Sequence, residues 1–208
     1  MNISEPTTML TDYALGVLCL IWGWKLWHRA KRRQAPQALW ARAFFATGLA
    51  ALLGGTVHGF ALIFRETFIL GMWRGTLYLT GFASFFMLAA VVLVALPRTI
   101  SRWGLAVCGL KLVVYLVWMF NHQDFRFVVY DYGATLLLIL GFQLVAFYKQ
   151  RSVAAGWIVL GILLSFVGAA IQQSGFSLAT HFNHNDLFHV VQMGAFYLFY
   201  RGGLTLNS

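Results

Sequence analysis

The stretch GTLYLTGFASFFMLAAVVLVAL, residues 75–96, carries no charged residue and no alternation of polar and apolar positions. A bilayer core about 30 Å thick is crossed by about 20 apolar residues in helical conformation. In hydrocarbon every backbone N–H and C=O must be satisfied within the protein, which leaves helices or a closed barrel. Barrel strands alternate, and this stretch does not, so it reads as a membrane helix. Six further runs of the same kind flank it. The predicted helices are 10–28, 38–64, 72–96, 103–120, 126–147, 153–172 and 183–200. The connections HRAKRRQAPQ, RETFILGM, PRTISR, NHQDF, YKQRS and QSGFSLATHF are short, as an up-and-down bundle requires. The expected fold class is all-α: a polytopic membrane protein with one seven-transmembrane helix bundle over 1–208.

Composition points the same way. Of 208 residues, 60% are hydrophobic and only 10% charged, against roughly 25% charged in soluble domains. The formal charge of +9 would imply nucleic acid in a soluble protein. Here the basic residues read as topology signals and lipid-headgroup contacts, with no nucleic-acid partner. Cys19 and Cys108 both lie inside apolar runs and read as packing residues. The opening MNISEPTTMLTDY lacks the basic region of a signal peptide, so the first span is expected to be retained. Most tryptophans fall near span ends, where interfacial anchors sit.

Lys25, Arg29, Lys31, Arg32, Arg33, Arg42, Arg98, Arg102, Lys149, Arg151 and Arg201 gather at one set of span ends. Only Arg65, Arg74 and Arg126 fall at the other. The positive-inside rule then predicts an external N-terminus and a cytoplasmic C-terminus, in a plasma membrane or bacterial inner membrane. Lys111 falls in mid-span and must find a partner, a cavity or the interface. All six acidic residues, Glu5, Asp12, Glu66, Asp124, Asp131 and Asp186, come out on the external half. So do His58, His122, His181, His184 and His189. Keeping positive charge inside does not explain the histidines, because neutral imidazole carries no topology signal. His58 and His189 lie within spans, where an ionisable group marks a functional site by default.

The seventh span is the richest. Asn183 followed by Asp186 predicts an N-cap with an acidic partner. At 100° per residue Asn185, His189, Gln192 and Phe196 share one face, polar at its outer end and aromatic deeper. A headgroup-plus-tail pocket has that character. On the second span Thr47, Ala51, Gly54 and His58 share a face whose small residues predict a close helix–helix seam, while Gly54-Gly55 reads as helix packing.

The segment LFHVVQMGAFYLFYRG (187–202) resembles the last helix of the progestin/adipoQ receptors, which group with the alkaline ceramidases in the CREST superfamily of seven-helix membrane hydrolases. The span count and a histidine near the outer end of the second span are similar too. The resemblance implies zinc held by one second-span and two seventh-span histidines, and hydrolysis of a lipid amide such as ceramide. His58 and His189 match two ligand positions. Asn185 stands where the remaining histidine belongs, Gly54 where a supporting serine belongs, and Trp73-Arg74-Gly75 where an aspartate opens the third span.

The expected site therefore has His58, His189 and His184 as metal candidates, with His181, Glu66 or Asp131 as substitutes for the missing ligand. Asp186 and Glu66 are the candidate proton carriers. Asn185, Gln192, Phe196 and Arg74 would meet the lipid. The first functional expectation is a zinc-dependent hydrolase of a lipid amide or ester. The alternative is a non-catalytic lipid-binding receptor or sensor with a degenerate metal site. Haem ligation by His58 and His189 is a third possibility. A retinal protein is excluded, since the last lysine, Lys149, precedes the seventh span.

Overall fold

Seven helices form where the apolar runs predict them: α1 Pro6–Arg29, α2 Ala35–Phe60, α3 Glu66–Ala95, α4 Arg98–Asn121, α5 Phe125–Gln150, α6 Val153–Ser174 and α7 His184–Leu204. The computed structural model describes residues 3–30, 35–179 and 182–206, so Lys31, Arg32, Arg33 and His181 lie outside the described residues. Among the described residues there is no strand, only an isolated bridge between Ala179 and Phe182. Six of the helices are long and apolar enough to cross a membrane. α7, which opens on the polar run His184-Asn185-Asp186, is not among them. The architecture is that of a multi-pass helical membrane bundle.

Local sequence sets the helix ends. The predicted start of α7 is a full capping box. Asn183 Oδ1 accepts from the backbone N–H of Asn185 at 2.8 Å, and Asp186 Oδ2 accepts from the Asn183 N–H at 2.7 Å. Asp124 caps α5 by accepting from the Arg126 N–H at 2.8 Å. The hydrogen bond from the Arg126 side chain holds the Asp124 carboxyl below the usual carboxylate range. α6 stops at Gly175, whose φ of 68° is in the left-handed region that glycine enters without cost.

The helices do not pack in simple chain order. α1 contacts α2 and α7, α2 contacts α3, α3 contacts α5, α5 contacts α6, and α6 contacts α7. Those six close a ring. α4 stands outside it, packed on α3, and turns a row of apolar side chains outward (Val107, Leu110, Val113, Val117 and Phe120). Two polar anchors fasten it. Tyr115 donates to the Leu77 carbonyl at 2.9 Å. Lys111 pairs with Asp131 of α5 at 2.7 Å and donates to Ser84 of α3 at 3.0 Å. Ser84 in turn donates to Asp131 at 2.7 Å. The mid-span lysine thus has its partner, and one cluster ties α3, α4 and α5 together.

Glycines set the closest approaches. The Tyr115 ring lies over Gly81, where any Cβ would overlap it. Gly81→Ala is expected to displace the ring, strain its hydrogen bond and cost about 1–2 kcal/mol, read as a lowered Tm in detergent micelles. An unchanged Tm would mean that α4 is not seated this way. α1 meets α2 at Gly16 and Gly48, where a Cβ on either would lie 3.0 Å from the carbonyl of the other. Gly55 takes the Asp12 and Tyr13 side chains, and Gly59 takes Met9. The seam of α2 therefore runs along Gly48, Gly55 and Gly59. The predicted seam face, Thr47, Ala51, Gly54 and His58, is turned one residue around the helix and looks into the ring instead.

At the end away from the N-terminus α2 and α7 meet directly. Trp40 Nε1 donates to the Phe199 carbonyl at 3.0 Å, and Gln37 Nε2 donates to that of Gly203 at 3.0 Å. Phe44 meets Phe196 edge-on, with centroids 5.4 Å apart. Trp40 is wholly buried here, a core residue rather than the interfacial anchor its position predicted. Cys19 and Cys108 are both free and buried, as expected of packing residues.

Candidate functional site

The ring encloses a cavity of about 390 Å³ whose wall draws on all six of its helices and on none of α4. The predicted faces of α2 and α7 both line it. Thr47, Ala51, Gly54 and His58 contribute from α2, and Asn185, His189, Gln192 and Phe196 from α7. Polar groups gather toward the end that carries the N-terminus. Leu15, Leu136, Phe166 and Phe196 make the deeper wall. At this size it falls within the roughly 300–1,000 Å³ of small-molecule sites, which are largely apolar with a few convergent polar groups.

The two histidines share this cavity, but not because α2 and α7 lie side by side there. At this end α1 is wedged between them. Asp12 of α1 occupies the wedge, with Oδ1 at 3.2 Å from His189 Nε2. A Cβ on Gly54 would lie 3.6 Å from its other oxygen. Both side chains of the pair are about nine-tenths buried, at 8% and 10% exposure. On its other edge His189 presents Nδ1 to Thr11 Oγ1 at 3.0 Å. That hydroxyl also lies 3.1 Å from the Thr7 carbonyl and 3.0 Å from that of Thr8. Its single proton goes either to Nδ1 or to a carbonyl, and in the second case Nδ1 is itself the donor. Nε2 stands at ion-pair distance from Asp12 without a hydrogen bond aligned between them.

His58 is held from the opposite side. Its Nδ1 lies 2.9 Å from Glu5 Oε2. Glu5 also donates its backbone N–H to the His58 carbonyl, and Ser4 donates its own to Gly59, so the N-terminal segment is strapped over the end of α2. Deeper, Gln192 and Ser165 form a reciprocal pair. Ser165 Oγ donates to Gln192 Oε1 at 3.2 Å, and Gln192 Nε2 returns a bond to the Ser165 carbonyl at 3.3 Å. Gln172 Nε2 donates to Asn185 Oδ1 at 3.4 Å.

The remaining candidates lie elsewhere. Asp186 is completely buried in the α7 capping box and does not line the cavity. His184 opens α7 outside the wall. Glu66 begins α3 exposed and away from the histidines. Asp131 is committed to Lys111. Arg74 is exposed, and with the Gln123 amide turned to accept it gives that oxygen bonds of 3.0 and 2.7 Å. It ties the first turns of α3 to the α4–α5 connection beside Trp73, whose Nε1 donates to the Gln123 carbonyl at 2.9 Å.

Zinc was expected from His58, His189 and a third ligand. Among the described residues no group of three or more His, Cys, Asp or Glu side chains is arranged to hold a metal ion. A ligating imidazole must offer a free lone pair, and His189 Nδ1 is already bonded to Thr11. No chemical step is routed through a metal. Asp12 is the polar cavity residue that sequence reading passed over. The signal was present, since an acid inside a span is a site candidate in its own right.

A family model described as a family of unknown function, DUF6962, matches residues 7–208, and the chain belongs to that family. No curated protein and no solved structure matches it.

Proposed function

We propose that the chain is a multi-pass membrane protein that binds one amphiphilic molecule inside its six-helix ring, as a lipid receptor, sensor or carrier. Its N-terminus lies on the external side of a plasma or inner membrane, as the distribution of lysine and arginine favours. The observation that carries this reading is the cavity: a largely apolar wall in which Asp12, His58, Asn185 and His189 gather near the end that carries the N-terminus. The polar end takes the headgroup against Asp12, His58, His189 and Asn185. The chain runs toward Phe196. Binding rather than turnover is favoured because both histidines of the wall are tied into the protein: Nδ1 of His189 meets Thr11 and Nδ1 of His58 meets Glu5. Thr11, the hydroxyl next to His189, is outside the cavity wall.

Ala51, buried in the wall, provides the test. Wild-type protein purified in mild detergent should yield about one amphiphile per chain on solvent extraction and mass spectrometry. A ligand present at about 100 times its Kd adds about 2.7 kcal/mol, which for a chain of this size raises Tm by roughly 5–10 °C. Ala51→Phe should fill the space and abolish both effects while keeping the helix content. Extracts without amphiphile, together with no stabilisation by any added one, would remove the proposal.

A lipid amide or ester hydrolase is the second reading, favoured by one observation: a carboxylate and an imidazole meet in the wall of a lipid-sized cavity. It requires release of free acid from an acylated substrate, lost in His189→Ala. Absence of turnover on both amides and esters would retire it.

A further inference from the structure

Resting on the reading of the cavity as an amphiphile site, we infer that its ligand has a cationic, hydrogen-bond-donating head, a long-chain ammonium, and not a carboxylate or phosphate. The chain carries a net charge of +9, yet no lysine or arginine lines the cavity. A buried anionic head with no cation to meet it would be left without compensation. Arg74 and Arg126 at this end stay outside the wall, on Gln123 and Asp124, and the charged side chains nearest the cavity are acidic. Asp12 is in the wall, Glu5 is bonded to His58, and Asp186 is buried within one turn of His189 with Oδ1 unpartnered among the described residues.

The hydrogen-bond inventory agrees. Most of the donors around the polar end are spent within the protein. Thr76 donates to backbone carbonyls 3.2 and 3.3 Å away, and Thr80 donates to the Thr76 carbonyl at 2.9 Å. Ser165 and Gln192 serve each other, and Trp73 serves Gln123. Acceptors are left over. Asp12 gives one oxygen to His189, and the other, beside Gly54 and Thr76, takes no hydrogen bond from any described residue. Gln172 gives its N–H₂ to Asn185, and its Oε1 is buried without a partner among the described residues. Against these the Asn185 amide N–H₂, the Thr47 hydroxyl and the Nε2 edge of His58 remain. A carboxylate oxygen and an amide oxygen facing one apolar cavity form an ammonium site. An ammonium offers three N–H donors to such acceptors.

The experiment compares hexadecylamine, hexadecanol, hexadecanoate and phosphatidylethanolamine, each added to the full-length protein in maltoside micelles. Binding is read from the change in intrinsic tryptophan fluorescence, to which Trp73 of the cavity wall contributes, and from Tm. One chain length holds the apolar contribution constant, and phosphatidylethanolamine shows whether a lipid headgroup can supply the same ammonium. Hexadecylamine should bind roughly tenfold or more tightly than hexadecanol, as a charge-assisted hydrogen bond predicts, and hexadecanoate should be weakest. Asp12→Asn should erase the preference for hexadecylamine over hexadecanol. If that variant does not fold, the wild-type ranking decides alone. Equal binding of all head groups, or preference for hexadecanoate, overturns the ammonium assignment but leaves the amphiphile site standing. Failure of every probe to bind removes both.

Discussion

Lys111→Met is expected to lower stability by about 3 kcal/mol, the lower end of the cost of stripping one partner from a buried ion pair, because this pair is partly exposed. For a chain of this length that corresponds to a fall in Tm of roughly 6–12 °C in micelles. The cause is the asymmetry between an unmade pair and a broken one. Asp131 would remain among α3, α4 and α5 with only Ser84 to answer it, in a medium that offers no water. The double variant Lys111→Met/Asp131→Leu removes both charges and should recover most of the loss, since a well-packed apolar replacement of an ion pair is often neutral. Asp131→Leu alone should resemble the lysine variant, because it strands the ammonium. A single variant as stable as the wild type would show that the pair does not hold α4 to the ring.

The second large effect is expected at Asp12. Asp12→Ala removes the carboxyl group that stands 3.2 Å from His189 Nε2 and opens the wedge between α2 and α7. We expect a loss of about 2–3 kcal/mol, that of a buried polar group left without its partner, with loss of bound amphiphile. Asp12→Asn keeps an oxygen that can face Nε2 and should cost much less in stability. The separation of the two variants distinguishes packing from charge: stability should follow the oxygen, and head-group selectivity the carboxylate. A double-mutant cycle with His189→Leu gives the coupling directly, expected at about 1–3 kcal/mol for a contact pair. A coupling near zero would mean that Asp12 and His189 do not act together. The cycle can be measured by thermal unfolding in micelles, independently of any ligand.

These two sites differ in how far they could be foreseen. That Lys111 needed a partner followed from its position in an apolar run; that Asp131 is the partner did not, because the residues come from different helices. The α7 face was legible. Asn185, His189, Gln192 and Phe196 recur at helical spacing, and all four line the cavity. The capping box at Asn183 and Asp186 was legible too, being a contact between residues three apart, but the same contact takes Asp186 out of the cavity wall. Asp12 was passed over because it stands near the start of its span, where acids are common. Nothing local shows that α1 carries it between His58 and His189.

Sequence alone determined the all-helical class, the number of helices, their approximate limits and the polar-to-aromatic face of α7. Each follows from helical periodicity, from the length of apolar runs or from contacts within a turn, all properties of neighbouring residues. Tertiary structure alone decided that α4 leaves the ring, that α1 separates α2 from α7 at the N-terminal end, and that Gly54 faces the cavity while Gly55 faces α1. The physical reason is that such choices depend on which helix pairs bury the most shape-matched surface. A rotation of 100°, one residue, exchanges a packing face for a binding face, and composition does not register it.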